Sequence, residues 1–202
     1  MGEHDWTPPA GTRGLIFDCD GTLADTMPVH FLAWTAMLHE HGIAFPEPTF
    51  YAMGGMPSER IIRQLAHDQQ IAVHDVAAMV DDKESRFLGM IERVLPISSV
   101  VGVAAAYRGV LPMAVASGGE RRIVHRTLGI IGVVDWFDAM VGAEDTQRHK
   151  PEPDVFLEAA RRIAVDPAAC VVFEDTEMGL EAGRRAGMHT VDVRPWYLPR
   201  AG

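Results

Sequence analysis

Short apolar runs bounded by turn or polar residues recur along this chain, and amphipathic helical patterns separate most of them. The runs occupy 14–17, 111–116, 139–141, 170–173 and 190–193. A continuous apolar run that ends at a turn residue is typical of a strand buried on both faces. Helical patterns lie at about 120–129, 154–164 and 177–186. Strands that alternate with helices predict an α/β fold with a parallel sheet covered on both faces.

One segment, 28–95, breaks this alternation because its apolar residues follow helical spacing alone. Such spacing occurs over 31–38, 61–65 and 76–94. Three helices are therefore predicted, and Ser58 is a candidate N-cap for the second of them. We expect a helical insert at 28–95 within a core formed by 12–27 and 96–202.

The net charge of −10 disfavours non-specific nucleic-acid binding, which requires a basic surface. No run approaches the ~18–20 apolar residues of a membrane span. The polar segment Met1–Ala10 also has no apolar leader core. We therefore expect a cytoplasmic protein that binds neither nucleic acid nor membrane. Cys19 and Cys170 form no Cys-x-x-Cys pair, and we expect both to be buried as small apolar residues.

Polar side chains follow four of the predicted strands. In chain order these are Asp18, Asp20 and Thr22, then Ser117, then Lys150 after a loop, and finally Glu174 and Asp175. Taken singly, an acidic residue after a strand is ordinary turn chemistry. Ligands of open parallel sheets, however, bind outside the carboxyl ends of the strands. Polar residues at four such ends therefore predict one shared site.

These residue types suit phosphoryl transfer. Neighbouring carboxylates favour a hard cation, and Mg²⁺ is the usual one beside phosphate. Lys150, Ser117 and the backbone N–H of Gly118 can bind nonbridging phosphate oxygens as charge develops there. Asp18 can attack phosphorus and form an acyl phosphate. Asp20, two residues later, can protonate the leaving oxygen and then activate water.

Four segments resemble the four motifs of the haloacid dehalogenase superfamily and follow that family's order. They are 18–22, Ser117, 150–154 and 173–176. The resemblance implies a Rossmann-like core with an α-helical cap inserted after the first strand, in a protein that is often monomeric. It also implies Mg²⁺ bound by the side chains of Asp18 and Asp175 and the backbone carbonyl of Asp20, with help from Glu174. The dehalogenases lack the second aspartate, so Asp20 indicates phosphate chemistry.

Within this superfamily the chain resembles β-phosphoglucomutase-like enzymes and their sugar-phosphatase relatives, among them fructose-1-phosphate phosphatases. That resemblance implies that Thr26, His30, Gly55 and Lys83 face the substrate or the general acid. Three of these residues also have an ordinary interpretation. Thr26 could cap the following helix, His30 could be a surface histidine in its first turn, and Lys83 could be solvated on a charged helix face.

Two positions favour a phosphatase over a mutase. Ser58 stands where the mutases carry an arginine for the distal phosphate, and Glu120 stands where they carry a lysine. An unpaired phosphate charge would be costly to bury. We therefore predict hydrolysis of a small phosphorylated metabolite, with a sugar phosphate as the expected substrate. A mutase remains the alternative, because Arg60 or Arg121 could supply the charge. A third hypothesis is that the protein accepts or binds phosphate without catalysing its transfer.

Overall fold

The central sheet contains five parallel strands, and the computed structural model describes residues 6–54 and 56–196 of the chain. The described residues form seven strands in all, five in this sheet and two in a separate pair. They are β1 Gly14–Phe17, β2 Ala24–Asp25, β3 Leu95–Pro96, β4 Met113–Ala116, β5 Ala139–Val141, β6 Cys170–Glu174 and β7 His189–Asp192. The sheet order is β5-β4-β1-β6-β7, and β2 pairs with β3 separately. All five predicted strands are present, and the α/β fold class is confirmed.

Eight α-helices lie in the described residues. They are α1 Met27–Glu40, α2 Glu47–Ala52, α3 Ser58–Asp68, α4 Val76–Met90, α5 Ser98–Tyr107, α6 Arg121–Ile130, α7 Asp154–Arg162 and α8 Glu177–Arg185. The chain divides into two units. The core unit comprises residues up to Asp25 and from Leu95 onward, and the helical unit is Thr26–Val94. Within the described residues, no helix has the length and apolar character needed to cross a bilayer.

The alternation of side chains along the strands produces two apolar layers in the core unit. Leu15 and Phe17 point to one face of the sheet and pack with residues of α5 and α6. Ile16 points to the other face and packs with residues of α7 and α8. The parallel register aligns Phe17 with Val115 on one side and with Phe173 on the other. The strand ends that carry polar residues are therefore adjacent.

The helical unit buries one face of each of its longer helices. Trp34 and Met37 of α1, Ile62 of α3 and Met79 of α4 belong to one apolar cluster. Trp34 is 3% exposed and is therefore a core residue of this unit. The prediction for Ser58 was wrong, because Pro57 is the N-cap of α3 and Ser58 is already helical.

Two features of the core unit were not predicted. Helix α5 is apolar almost throughout, so it shows little helical periodicity, and it buries Val100, Val103 and Ala104. The antiparallel pair of β2 and β3 has only two residues in each strand, too few to produce an alternating pattern. The expectation for the cysteines is confirmed, because both are buried and free. Burial raises the pKa of Cys170 to about 11, which keeps its thiol protonated near neutral pH.

Candidate active site

Asp18 directly follows β1, and the loop after it folds tightly. The Asp18 N–H donates to the carbonyl of Phe173 at 3.0 Å, and the Gly21 N–H donates to the carbonyl of Ala24 at 2.8 Å. Gly21 has φ +83°, a conformation that favours glycine, and a Cβ there would collide with the Asp175 carboxylate. Glycine therefore lets the loop lie against the next acidic residue of the site.

Lys150 joins two buried carboxylates. Its Nζ lies 2.6 Å from Asp18 Oδ1 and 2.6 Å from Glu174 Oε2, and it also approaches the carbonyl of Ala116 at 3.4 Å. Only 7% of the lysine side chain is exposed. The structure thus brings together the polar residues of strands β1 and β6 with a lysine from the loop after β5.

Glu174 is anchored by the start of α8, an arrangement that sequence reasoning missed. Its Oε1 accepts hydrogen bonds from the Asp175 N–H at 3.0 Å, the Thr176 N–H at 2.9 Å and the Thr176 hydroxyl at 2.8 Å. Thr176 Oγ1 in turn accepts from the Gly179 N–H at 3.0 Å and caps the helix. The sequence signal that could have predicted this cap is a threonine, Thr176, directly before the predicted helix at 177–186. Thr22 completes this side, because its hydroxyl donates to Asp175 Oδ1 at 3.2 Å.

Ser117 follows β4, which lies on the other side of β1 from β6, and it approaches Asp20 in the loop after β1. The Ser117 hydroxyl lies 3.5 Å from Asp20 Oδ2 and accepts from the Gly119 N–H at 3.0 Å. Ser117 is buried, whereas Asp20 is half-buried. Gly118 lies between Ser117 and Gly119 in this loop. The residues predicted at all four strand ends therefore form one group.

The carboxylates of this group have different acidities. Burial, followed by the negative charge of Glu174, raises the pKa values of Asp18 and Asp175 well above the usual range. Burial also acts on Glu174, but Lys150 and the Thr176 donors outweigh it and lower the pKa of that carboxyl. The two carboxylates that Lys150 contacts thus differ because Glu174 has additional donors and Asp18 has an acidic neighbour.

The donor set fits a divalent metal ion. Asp18, Glu174 and Asp175 each offer an oxygen, and these atoms lie within 4.8 Å of one another. Carboxylate oxygens at this spacing suit a hard cation. Burial and then the charge of Glu174 raise the pKa values of Asp18 and Asp175, and a bound cation would favour their ionised forms.

In the helical unit, the structure corrects the ordinary interpretations of two residues. Thr26 occupies the N-cap position of α1, but its side chain accepts no capping hydrogen bond, and its buried Oγ1 has no partner among the described residues. Lys83 is not solvated, because it is 4% exposed and its Nζ lies 2.7 Å from Glu84 Oε1.

His30 is not a simple surface residue either, because it is half-buried and its ring stacks on Phe87 with centroids 3.9 Å apart. Gly55, the fourth residue of this predicted set, lies outside the described residues.

The fold and the acidic group place the chain in a class of hydrolases. The family model described as haloacid dehalogenase-like hydrolase matches residues 12–187. The chain therefore belongs to the haloacid dehalogenase-like hydrolases, as its four motifs predicted. Fructose-1-phosphate phosphatase YqaB of Escherichia coli (strain K12) is 39% identical over 181 residues, covering 90% of this chain and 96% of that protein.

The chain is also similar to β-phosphoglucomutases. The enzyme of Bacillus subtilis (strain 168) is 26% identical over 191 residues, covering 90% of this chain and 83% of that protein. A crystal structure of β-phosphoglucomutase from Clostridium difficile superposes with a TM-score of 0.80 at 21% identity, covering 90% of this chain and 84% of that chain. At that identity the structural match establishes the shared fold.

Proposed function

We propose that the protein is a Mg²⁺-dependent phosphatase that hydrolyses a small sugar phosphate through an aspartyl phosphate on Asp18. The observation that carries this proposal is the 2.6 Å contact between the buried Asp18 carboxylate and Lys150, with Asp20 two residues further along. The similarity to a fructose-1-phosphate phosphatase favours a ketose phosphate as the first substrate to test.

Asp18, Glu174 and Asp175 would hold Mg²⁺ through their side chains, and Asp20 would contribute its backbone carbonyl. When bound, the ion neutralises phosphoryl oxygens and aligns the attack. Lys150 is already placed beside Asp18, where its ammonium can bind a nonbridging oxygen. Ser117 and the backbone N–H of Gly118 would donate to the remaining oxygens, and Thr22 would join them by turning its hydroxyl from Asp175 to the phosphate.

The proposed reaction has two steps. Asp18 attacks phosphorus, the bond from phosphorus to the sugar oxygen breaks, and Asp20 gives that oxygen its proton. Asp20, now a carboxylate, then takes a proton from water as the water oxygen attacks the acyl phosphate. The bond between phosphorus and Asp18 breaks, which releases inorganic phosphate and restores both aspartates.

The surroundings of Glu120 and Ser58, the two positions where mutases carry cations, favour hydrolysis over mutase chemistry. Glu120 adds negative charge where a mutase needs a cation, and it lies 3.5 Å from Arg122. Arg121, the cation that could compensate, lies 3.2 Å from Asp145 and 4.0 Å from Glu144. A distal phosphate would have to displace these carboxylates. Arg60 is exposed on α3, and Ser58 offers only a hydroxyl.

We further propose that the helical unit supplies substrate contacts through Thr26, His30, Gly55 and Lys83. Two observations support this for Thr26 and Lys83. Thr26 has a buried hydroxyl with no partner among the described residues, and Lys83 is a buried ammonium. A buried hydroxyl that lacks a partner is costly unless a ligand or water satisfies it. The Lys83 ammonium has three donors, of which Glu84 accepts one.

The test is a phosphate-release assay with purified protein, Mg²⁺ and a panel of monophosphates that includes fructose 1-phosphate, hexose 6-phosphates and nucleotides. We expect release that EDTA abolishes and Mg²⁺ restores. A parallel assay supplies β-glucose 1-phosphate with a bisphosphate primer and measures glucose 6-phosphate. Isomerisation with little phosphate release would establish the mutase instead.

A further inference from the structure

The turn that follows β5 is held by hydrogen bonds to the carboxylate of Asp145. The Gly142 N–H donates to Asp145 Oδ2 at 2.8 Å, and the Asp145 N–H donates back to the Gly142 carbonyl at 3.1 Å. The Asp145 side chain is 11% exposed although it carries a charge. A carboxylate with so little exposure needs hydrogen-bond donors in place of water, and the protein supplies them to Asp145.

Two arginines supply the remaining donors. Arg162 Nη2 lies 2.8 Å from Asp145 Oδ1, and Arg121 Nη1 lies 3.2 Å from the same oxygen. Arg162 also donates from Nη1 to the carbonyl of Met140 at 2.8 Å. Asp145 therefore connects the end of α7 and the strand β5 with the first residue of α6.

The same turn holds the loop that carries Ser117. The Ala143 N–H donates to the carbonyl of Gly119 at 2.9 Å, and the Gly119 N–H donates to Ser117 Oγ at 3.0 Å. The turn also lies very close to α6, because a Cβ on Gly142 would come within 2.6 Å of the Arg121 nitrogen. Hydrogen bonds and the peptide units between them thus connect Asp145 through the turn to Ser117.

We propose that Asp145 is a positioning residue that holds the loop Ser117–Gly119 in the geometry that binds phosphate. This inference rests on the proposed function, because it assigns the Ser117 loop to the phosphate group. Donors for a phosphoryl group must be held within a fraction of an ångström, and small misplacements are costly. Asp145 does not touch the reacting atoms itself, and it acts through Ala143 and Gly119.

Two variants separate this role from general stability. Asp145→Asn keeps the shape of the side chain but removes the charge that holds both arginines. Ala143→Pro removes the N–H that donates to Gly119 and places the proline ring against that carbonyl, so it breaks the link between the turn and the Ser117 loop. The backbone conformation accepts proline because Ala143 begins a short 3₁₀ turn after an extended Gly142. Glu181→Gln is the matched control, because Glu181 also pairs with two arginines, on α8.

The experiment measures KM and kcat, the Mg²⁺ concentration for half-maximal activity, and the Kd of inorganic phosphate by calorimetry in the presence of Mg²⁺. We expect both variants to raise KM and the phosphate Kd by roughly 10-fold or more, with an unchanged Mg²⁺ requirement. Glu181→Gln should match the wild type in KM, kcat and phosphate Kd.

Wild-type phosphate affinity in both variants would overturn the inference, and so would a loss of kcat with phosphate affinity unchanged. If Asp145→Asn does not fold, Ala143→Pro decides alone by the same criterion. A wild-type protein that neither hydrolyses monophosphates nor binds phosphate would overturn the proposed function, and this inference with it. Hydrolysis by the wild type with unaltered variants would overturn this inference alone.

Discussion

The chain contains two lysines, Lys83 and Lys150, one in each unit, and the side chains of both are almost fully buried. Lys150 in the core unit contacts two carboxylates, each at 2.6 Å. Lys83 in the helical unit contacts one carboxylate, that of Glu84, at 2.7 Å, and its Nζ also lies 5.3 Å from the ring centroid of Trp34. The sixteen remaining cations among the 18 lysines and arginines are arginines.

This difference indicates different tasks for the two ammonium groups. Lys150 sits among several carboxylates that a metal ion would share, so its charge belongs to a local balance at the reacting centre. Lys83 has three donors, and its contacts in the helical unit are one carboxylate and aromatic faces. An ammonium held in this way keeps donors for a ligand. We therefore expect loss of Lys150 to lower kcat and loss of Lys83 to raise KM.

The largest effect is expected from Asp20→Asn, which tests whether chemistry occurs at the core group at all. Without proton transfer to the leaving oxygen, kcat should fall ~10²–10⁴-fold. Phosphate release at saturating substrate and Mg²⁺ gives this number. Asp166→Asn is the control, because Asp166 is an exposed carboxylate that caps a short 3₁₀ turn in the same unit. A loss below tenfold would favour the non-catalytic phosphoacceptor.

Lys150→Met tests the core side of the comparison. The variant removes the cation that faces the developing phosphoryl charge, so kcat should fall ~10²–10³-fold. KM should change much less than kcat, and stopped-assay phosphate release over a substrate series measures both. Lys150→Arg should rescue little, because the two 2.6 Å contacts fit a compact ammonium better than a planar guanidinium. A kcat within threefold of the wild type would remove Lys150 from the mechanism.

Lys83→Met tests the helical side. A hydrogen bond to a charged group contributes about 1.5–3 kcal/mol, so kcat/KM should fall roughly 10- to 100-fold, mainly through KM. Arg86→Met is the matched control, because Arg86 lies on the same helix and pairs with Asp82 and Glu40. Equal effects of the two substitutions would show that Lys83 acts only through the stability of α4.

Sequence reasoning predicted the site residues whose positions follow from the ends of the buried strands. Asp18 and Ser117 each follow a short buried strand, and a parallel sheet necessarily brings such strand ends together. Lys150 lies nine residues after β5, at the end of the loop that follows this strand, and the motif 150–154 supported the same assignment. The helix α5 was not predicted because Val100, Val103 and Ala104 lie in a segment that is apolar on every face and therefore shows no helical periodicity.

The residues that support the site were harder to predict than the site itself. Thr176 and Asp145 act through contacts with backbone groups and with side chains distant in sequence. Such contacts leave no periodic pattern, and both residues read as ordinary turn or cap chemistry. The burial of Lys83 was equally hidden, because it lies in a run of charged residues on α4 and only packing shows that its ammonium is enclosed.

The smallest effect is expected on thermal stability, from removing an ion pair at the surface. This pair serves as a reference for the ion pairs of the two buried lysines. Hydrogen bonds from Arg161 and then Arg162 lower the pKa of Glu158 to about 2. A carboxyl whose pKa is lower in the folded state stabilises the fold above its ordinary pKa, and this contribution is lost as pH falls toward the folded value. Glu158→Gln should therefore lower Tm at pH 7 by roughly 1–3 °C.

The difference in Tm between Glu158→Gln and the wild type should narrow as pH falls below the ordinary value of 4.5. Thermal melts followed by circular dichroism between pH 7 and pH 3 measure it, and added salt at pH 7 should reduce it by screening. A difference that is constant with pH and salt would mean that Glu158 acts through packing. Surface pairs of this kind contribute little because water competes for both partners. The side chains of Lys83 and Lys150 are only 5% and 7% exposed, so water competes far less for their ion pairs.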